Sequence, residues 1–142
     1  MSDSADPHDL QRFVDAQEWA IADALAELEA GRKRTHWMWF IFPQLAGLGR
    51  SETARFFGIR FADEARAYLA HPLLGSRLRQ CCAALLRHRG RSAEAIMGSI
   101  DAVKLRSSMT LFEAVGDDPA CFADVLEAFF DGRDPETLRL LG

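Results

Sequence analysis

Apolar side chains recur at intervals of three and four residues along most of the chain. One such stretch runs from Leu10 to Leu28, and another runs from Leu74 to Leu86 with arginines on the opposite face. This spacing places the apolar side chains on one face of an α-helix. No stretch shows the sustained two-residue alternation that is typical of a half-buried strand. The pattern therefore predicts an all-α fold.

Capping residues, prolines and glycines divide this pattern into about seven or eight helices. A capping carboxylate precedes a proline at Asp6-Pro7 and again at Asp134-Pro135, and Gly31 follows the last apolar position of the first stretch. The other predicted helix starts lie at Ser51, Asp63, Pro72, Ser92, Asp101 and Asp118. The connections are short and the helices differ in length, which favours a single compact irregular helical bundle. We expect residues 1–5 to be a disordered lead and residues 6–142 to be a single helical domain.

The segment Thr35–Gly49, THWMWFIFPQLAGLG, departs from this pattern and is called the aromatic segment below. Two tryptophans and two phenylalanines lie within the six positions from Trp37 to Phe42. Burying so much aromatic surface is expected to hold together the helices that meet there. An unbroken apolar run does not distinguish a helix from other conformations. Pro43 nevertheless disfavours a helical Phe42, so any helix through the tryptophans is expected to end there.

Composition and charge exclude several classes of protein. Hydrophobic residues make up 49% of the chain and charged residues 27%, as in ordinary globular proteins. The net charge of -4 argues against a nucleic-acid partner, although fifteen of the seventeen basic residues are arginines. The first residues, MSDSADPHD, lack the character of a signal peptide, and no apolar run approaches the roughly 20 residues of a membrane span. We expect a cytoplasmic protein without a membrane partner, of undetermined oligomeric state.

The cysteines and histidines show no metal-binding or catalytic spacing. Cys81 and Cys82 are adjacent and Cys121 stands apart, which indicates reduced, mostly buried thiols. No two histidines have the i, i+4 spacing of a helical zinc site. The chain also lacks a G-x-S-x-G elbow, a P-loop and a G-x-G-x-x-G motif. The sequence therefore predicts no metal and no cofactor, and it leaves open whether the protein is an enzyme.

Two groups of residues are candidates for a ligand site. Lys104, Ser107 and Ser108 are expected to share a helix face that presents an ammonium and two hydroxyls to an anion. The tryptophans and a histidine of the aromatic segment could supply the flat surface and polar edge that a planar ligand needs. The candidate residues are His36, Trp37, Trp39, Gln44, Lys104, Arg106, Ser107 and Ser108. The competing interpretation is structural, with tryptophans in the core and hydroxyls bonded to the preceding helical turn.

Two functions are consistent with these residues. The first is an enzyme or sensor that binds a small anionic or nucleotide-like ligand between the HWMWFIFPQ stretch and the KLRSS helix. The alternative is a protein-interaction module without catalytic activity, which would use exposed aromatic side chains or the arginine-rich face of residues 74–88. Tryptophans that line a concave pocket with a polar floor would favour the first, and tryptophans on a flat exposed patch the second.

Three long strings carry a family resemblance, RKRTHWMWFIFPQLAGLGRS, EARAYLAHPLLGSRLRQC and DAVKLRSSMTLFEAV. They resemble the uncharacterised family known as domain of unknown function 1810, some members of which are labelled calpastatin. The resemblance extends from about Asp9 to Leu141. It implies a compact, mainly helical, single-domain bacterial protein with no established activity and no established ligand. The calpastatin label does not fit, because that calpain inhibitor is expected to be a disordered, repetitive chain and this one is compact and apolar.

Overall fold

The computed structural model describes residues 6–142, and nine helices lie within that range. They are α1 (Gln11–Ala30), α2 (Met38–Ile41), α3 (Glu52–Phe57), α4 (Ala62–Ala70), α5 (Leu74–Leu86), α6 (Ala93–Met97), α7 (Ser99–Val115), α8 (Ala120–Phe129) and α9 (Pro135–Leu141). No strand is found among these residues, although Leu45 and Ile59 form an isolated parallel bridge. The predicted all-α fold is confirmed, and the additional helix is α2 in the aromatic segment. The predicted lead, residues 1–5, lies outside the described residues.

Several predicted capping residues do cap their helices. The Oγ of Ser51 accepts a hydrogen bond from the backbone N–H of Ala54, and the Oγ of Ser92 accepts one from Ala95. Gly31 ends α1 with a left-handed φ of 73°, and its N–H bonds the carbonyl of Leu28. Because each of these contacts lies within a few residues of sequence, local patterns are sufficient to predict it.

Three predicted helix starts differ from the structure because their carboxylates have other partners. Asp6 accepts the N–H groups of Leu10 and Gln11 at 2.8 and 3.0 Å, so it caps a turn and α1 begins only at Gln11. Helix α4 begins at Ala62, and Asp63 pairs with Arg66 within it. Helix α7 begins at Ser99, and Asp101 binds two lysines instead of backbone N–H groups.

A chain of aromatic rings joins six helices through the core. The centres of successive rings lie between 5.1 and 5.9 Å apart, which is close enough for the rings to be in contact. In spatial order the rings belong to Phe40 of α2, Phe57 of α3, Phe13 of α1, Tyr68 of α4, Phe112 of α7 and Phe122 of α8. The same core contains Trp37 and Phe42, each 1% exposed, whereas Phe40 is only partly buried. The aromatic segment is thus packed into the centre of the bundle.

The carboxylate of Glu27, on α1, fixes the connection that leads into the aromatic segment. It accepts hydrogen bonds from the N–H groups of Arg34 and Thr35, from the Thr35 hydroxyl, and from the indole N–H of Trp37 at 2.9 Å. Burial by itself would raise the pKa of Glu27, but these hydrogen bonds outweigh it and lower the pKa to about 2.

Acid is therefore expected to destabilise the fold through Glu27. Its pKa is lower in the folded than in the unfolded protein, so the ionised form contributes stability that is present above about pH 4.5 and is lost as the pH falls toward 2. Urea unfolding at several pH values in this range should show a smaller loss of stability in Glu27→Gln than in the wild type. Glu29→Gln is the matched control, because Glu29 lies two positions along the same helix and its side chain is exposed. Equal pH dependence in wild type and Glu27→Gln would contradict the assignment.

Candidate functional site

A concave pocket of about 430 Å³ opens between α2, the loop that follows it, α7 and the start of α9. We call it the Trp39–Lys104 pocket. Its walls are formed by Trp39, Gln44, Leu48, Gly49, Ile100, Val103, Lys104, Ser107, Asp134 and Glu136. Most of the apolar side chains come from α2, its loop and α7, and the start of α9 contributes two carboxylates. The pocket thus combines an apolar surface with a few polar groups, as small-molecule sites commonly do.

Helical periodicity explains how α7 forms one wall. Ile100, Val103, Lys104 and Ser107 lie three and four residues apart, so they project from the same face of the helix. Ile100 and Val103 are 72% and 67% exposed, although both are apolar. These two aliphatic side chains therefore border the pocket instead of filling the core.

The loop after α2 forms the facing wall, and backbone hydrogen bonds hold it in place. Pro43 follows Phe42, and α2 ends at Ile41 as the sequence predicts. The carbonyl of Gln44 accepts the N–H of Ile59 at 2.9 Å, and the N–H of Ala46 donates to the carbonyl of Ile59 at 2.8 Å. The side-chain amide of Gln44 has no hydrogen-bond partner among residues 6–142, so it remains available to a ligand.

The Lys104 ammonium lies against the indole of Trp39. Its Nζ is 4.0 Å from the centre of the ring and 3.3 Å from Oδ1 of Asp101. The side chain is 19% exposed. An ammonium has three N–H donors, and Asp101 is the one hydrogen-bond acceptor that the described residues provide. Lys104 therefore keeps donor capacity at the pocket wall.

A second lysine repeats this arrangement deeper in the fold. The Nζ of Lys33 lies 4.8 Å from the ring centre of Trp37, 2.9 Å from Oδ2 of Asp101 and 2.6 Å from the carbonyl oxygen of Thr35. Asp101 thus bridges the two lysines of the chain, and each lysine covers one tryptophan of the aromatic segment. The three charges sum to one positive charge, which is a basic local environment in an acidic protein.

The part of the pocket that the start of α9 contributes is negatively charged. Oδ2 of Asp134 accepts hydrogen bonds from the hydroxyls of Ser107 and Thr137, at 3.0 and 2.5 Å. Burial would raise the pKa of Asp134, but these bonds and the charge of Arg106 outweigh it and lower the pKa. A hydrogen bond from Arg139 lowers the pKa of Glu136. Both carboxylates are therefore ionised at neutral pH and line the same pocket as the Lys104 ammonium.

The eight predicted ligand residues separate into two groups. Trp39, Gln44, Lys104 and Ser107 line the pocket together, and the other four lie outside its lining. Within the lining, Ser107 also bonds the carbonyl of Val103 at 3.2 Å, as the structural interpretation of the helix hydroxyls anticipates. The structure thus brings half of the predicted residues to one place.

The remaining four predicted residues have other surroundings. Trp37 is buried in the core, and His36 is exposed. Arg106 donates to the carbonyls of Gly132 and Arg133 at 2.9 and 3.0 Å, which ties α7 to the loop before α9. Ser108 is fully buried, and its hydroxyl has no partner within the described part of the chain.

Sequence reasoning missed Asp134 and Glu136 as pocket residues, because capping accounts for acidic residues at a helix start. It also missed Ile100 and Leu48. Ile100 precedes Lys104 by four residues and Ser107 by seven. This helical spacing could have placed Ile100 on the same face of α7 as those two candidates.

The described residues contain neither a grouped set of metal-binding side chains nor a helix that could span a membrane. Between residues 6 and 142, no three or more His, Cys, Asp or Glu side chains are grouped so that they could hold a metal ion. In the same range, no helix has both the length and the apolar character required to cross a membrane.

Comparisons with known proteins point to one family. The family model described as "Protein of unknown function (DUF1810)" matches residues 7–141. The crystal structure of the conserved hypothetical protein Rv1873 from Mycobacterium tuberculosis superposes with a TM-score of 0.94 at 49% sequence identity, over 96% of this chain and 98% of that chain. No curated protein shows a significant match.

Proposed function

The chain belongs to the family of proteins of unknown function DUF1810, and we propose that it binds a small anionic or nucleotide-like ligand in the Trp39–Lys104 pocket. The observation that carries this proposal is the position of Lys104. Its ammonium lies in the wall of a concave pocket and has donor capacity beyond its single bond to Asp101. A ligand oxygen could accept one of these N–H groups.

The apolar wall supports a ligand with a flat or hydrophobic part. Trp39, Ile100 and Val103 surround Lys104, and the two aliphatic side chains are largely exposed without a ligand. Covering this surface would remove apolar area from water, which favours binding. Because one face of the Trp39 ring already contacts Lys104, a planar group would pack on the remaining indole surface. The free amide of Gln44 could bond the polar edge of such a group.

The charges of the pocket restrict the type of anion. The lining contains one cation, Lys104, and two carboxylates, Asp134 and Glu136. A polyphosphate would bring several negative charges close to these carboxylates, and the repulsion would oppose the attraction of Lys104. A ligand with a single negative charge at the Lys104 end avoids that cost. We therefore favour a nucleobase-like or aromatic ligand with few negative charges, such as an aromatic carboxylate or a nucleoside monophosphate, over a nucleoside triphosphate.

The proposal concerns binding and not a reaction. None of the described residues that line the pocket is a histidine or cysteine, and the Ser107 hydroxyl is bonded to Asp134 and to the Val103 carbonyl. These neighbours do not form the nucleophile and base pair that covalent catalysis uses.

A thermal-shift screen tests the proposal. We expect at least one aromatic carboxylate, nucleobase or nucleoside monophosphate to raise the melting temperature, because a ligand at one hundred times its Kd stabilises the native state by about 2.7 kcal/mol. Lys104→Ala should abolish this shift and leave the unliganded protein folded, since a partly exposed ion pair contributes about 1 kcal/mol or less.

Two control variants make the screen specific. Lys104→Arg retains the positive charge and should retain part of the shift, and Arg89→Ala removes an exposed cation outside the pocket and should retain all of it. If the Lys104→Ala variant binds a compound from the screen as tightly as the wild type does, the proposed site is wrong. A triphosphate that binds more tightly than its nucleoside monophosphate would contradict the argument from charge.

Exposed apolar side chains favour a second candidate, the protein-interaction module. Trp19 is 89% exposed on α1, and tryptophan is favoured at interface hot spots. In that role, no small molecule would shift the melting temperature. Trp19→Ala would then weaken partner binding, whereas Lys104→Ala would not.

A further inference from the structure

Two cysteines meet where α5 packs against α8, away from the Trp39–Lys104 pocket. Cys121 is the second residue of α8 and is partly exposed, whereas Cys82 of α5 is completely buried. Cys82 follows Arg79 by one turn on α5, and the Arg79 guanidinium reaches the sulfur of Cys121, so both cysteines lie at the same contact between the helices. Both cysteines are reduced. The pair therefore combines a thiol that solvent can reach with a shielded thiol beside it.

An arginine is placed against the accessible sulfur. Nη1 of Arg79 lies 3.5 Å from Sγ of Cys121 and donates to the carbonyl of Asp118 at 2.9 Å. The guanidinium also lies 5.0 Å from the ring centre of Phe122, the residue after Cys121. These contacts hold a permanent positive charge next to the sulfur, which favours the thiolate.

The Cys82 thiol donates a hydrogen bond to the thioether of Met109 at 3.6 Å. Cys121 is the other acceptor for this proton. A thiolate is a stronger acceptor than a thioether, so ionisation of Cys121 should direct this proton toward Cys121. The arrangement stabilises a negative charge on Cys121 and keeps Cys82 protonated.

The pKa values follow from these neighbours. The hydrogen bond from Cys82 and the charge of Arg79 lower the pKa of Cys121 to about 7, while burial and the charge of Asp118 oppose them. The hydrogen bond to Cys121 and burial raise the pKa of Cys82 well above its usual value. Burial raises the pKa of Cys81 to about 12. At neutral pH only Cys121 should have a substantial thiolate fraction.

We propose that Cys121 is a reactive thiol that peroxide oxidises, and that Cys82 then converts the product into a Cys82–Cys121 disulfide. Arg79, which contacts the Cys121 sulfur, also lines a cavity of about 310 Å³ together with Arg66 and Asp118, and this cavity has room for a small oxidant. Neither cysteine lines the Trp39–Lys104 pocket, so the two proposals are independent.

The chemistry proceeds in two balanced steps. The Cys121 thiolate attacks one oxygen of hydrogen peroxide, an S–O bond forms as the O–O bond breaks, and the departing hydroxide takes a proton to become water. The sulfur is oxidised to a sulfenic acid and the peroxide is reduced. Cys82 then attacks the Cys121 sulfur, and an S–S bond replaces the S–O bond. The departing hydroxide takes the Cys82 proton, which gives a second water.

Hydrogen peroxide treatment followed by intact-mass and peptide analysis tests the proposal. We expect the chain to lose the mass of two hydrogen atoms and to yield one peptide pair joined through Cys82 and Cys121. The Cys81→Ala variant should give the same product, since Cys81 takes no part. In Cys82→Ala the sulfenic acid should persist at Cys121 and be trapped by dimedone.

Alkylation by iodoacetamide gives a second measurement that does not depend on disulfide formation. Labelling should occur at Cys121 before Cys81 or Cys82, with a pH midpoint near 7. Arg79→Met should move the midpoint to higher pH, and Arg79→Lys should restore part of the shift. Labelling that is slowest at Cys121, or a midpoint unaffected by Arg79→Met, would overturn the reactive thiol. A sulfenic acid that persists in the wild type without a crosslink would overturn the role of Cys82.

Discussion

Replacing Trp37 with alanine is expected to destabilise the protein by about 3 to 5 kcal/mol. The indole is 1% exposed, packs near Phe42 with ring centres 6.1 Å apart, and lies beneath the Lys33 ammonium. Its removal would leave a cavity that a close-packed interior fills only partly. Glu27 would also lose the indole N–H as a hydrogen-bond donor. This loss is a large part of the roughly 5 to 15 kcal/mol that stabilises a typical domain.

Chemical unfolding of three variants separates these contributions. Trp37→Phe retains most of the apolar volume but removes the bond to Glu27, so it should cost less than Trp37→Ala. Trp39→Ala is the matched control, because it truncates the same residue type two positions away, where the ring is only partly buried. We expect its cost to be smaller than that of Trp37→Ala. An unchanged unfolding midpoint for Trp37→Ala would show that the aromatic segment is peripheral to the core.

The helices were predictable where their signals are local. Ser51, Ser92 and Gly31 act within one turn of their own helix, and the structure gives them the predicted contacts. Asp101 shows the limit of such signals. Its first-turn position suits a cap, but Lys33, almost seventy residues earlier in the chain, takes one of its oxygens. Local patterns cannot anticipate a partner that only tertiary packing supplies.

The pocket was predictable to the extent that helical spacing determines it. The three-residue step from Lys104 to Ser107 places both on one face of α7, and both line the pocket. The spacing in the aromatic segment could not be interpreted this way, because α2 spans only four residues. His36 precedes α2 and is exposed, while Trp39 faces the pocket. Asp134 reaches the pocket from α9 through long-range packing, which no local pattern reveals.

Removing the carboxylate of Glu64 is expected to destabilise the protein by about 3 to 5 kcal/mol, because the Arg12 guanidinium would remain buried without its counter-ion. The two side chains are 6% and 0% exposed, and Nη2 of Arg12 lies 2.7 Å from Oε2 of Glu64. The second oxygen of Glu64 accepts a hydrogen bond from Nε of Arg60 at 2.9 Å. A charge in this environment has little access to water, so solvent cannot replace the lost partner.

The other hydrogen bonds of Arg12 show which segments the buried ion pair joins. The Arg12 guanidinium donates to the carbonyls of His8 and Asp9, in the turn before α1, and to those of Phe56, in the last turn of α3, and Gly58, just after α3. One side chain therefore connects the start of the first helix to the segment between α3 and α4. Carbonyl oxygens satisfy the N–H groups of the guanidinium, but they do not neutralise its charge. That charge requires Glu64.

A double-mutant cycle measures the interaction, with Glu64→Ala, Arg12→Met and the double variant compared by urea unfolding. Each single variant leaves one buried charge or several carbonyls unpaired, so the double variant should cost less than the sum of the two single ones. Asp63→Asn is the matched control, since Asp63 is the adjacent residue and forms an exposed pair with Arg66 that is worth about 0 to 1 kcal/mol. Added salt should weaken the exposed pair and leave the buried one almost unaffected, because ions screen buried charges poorly. If Glu64→Ala and Asp63→Asn lower the free energy of unfolding by equally small amounts, water reaches the Arg12 guanidinium. In that case the ion pair does not hold α1 to α4.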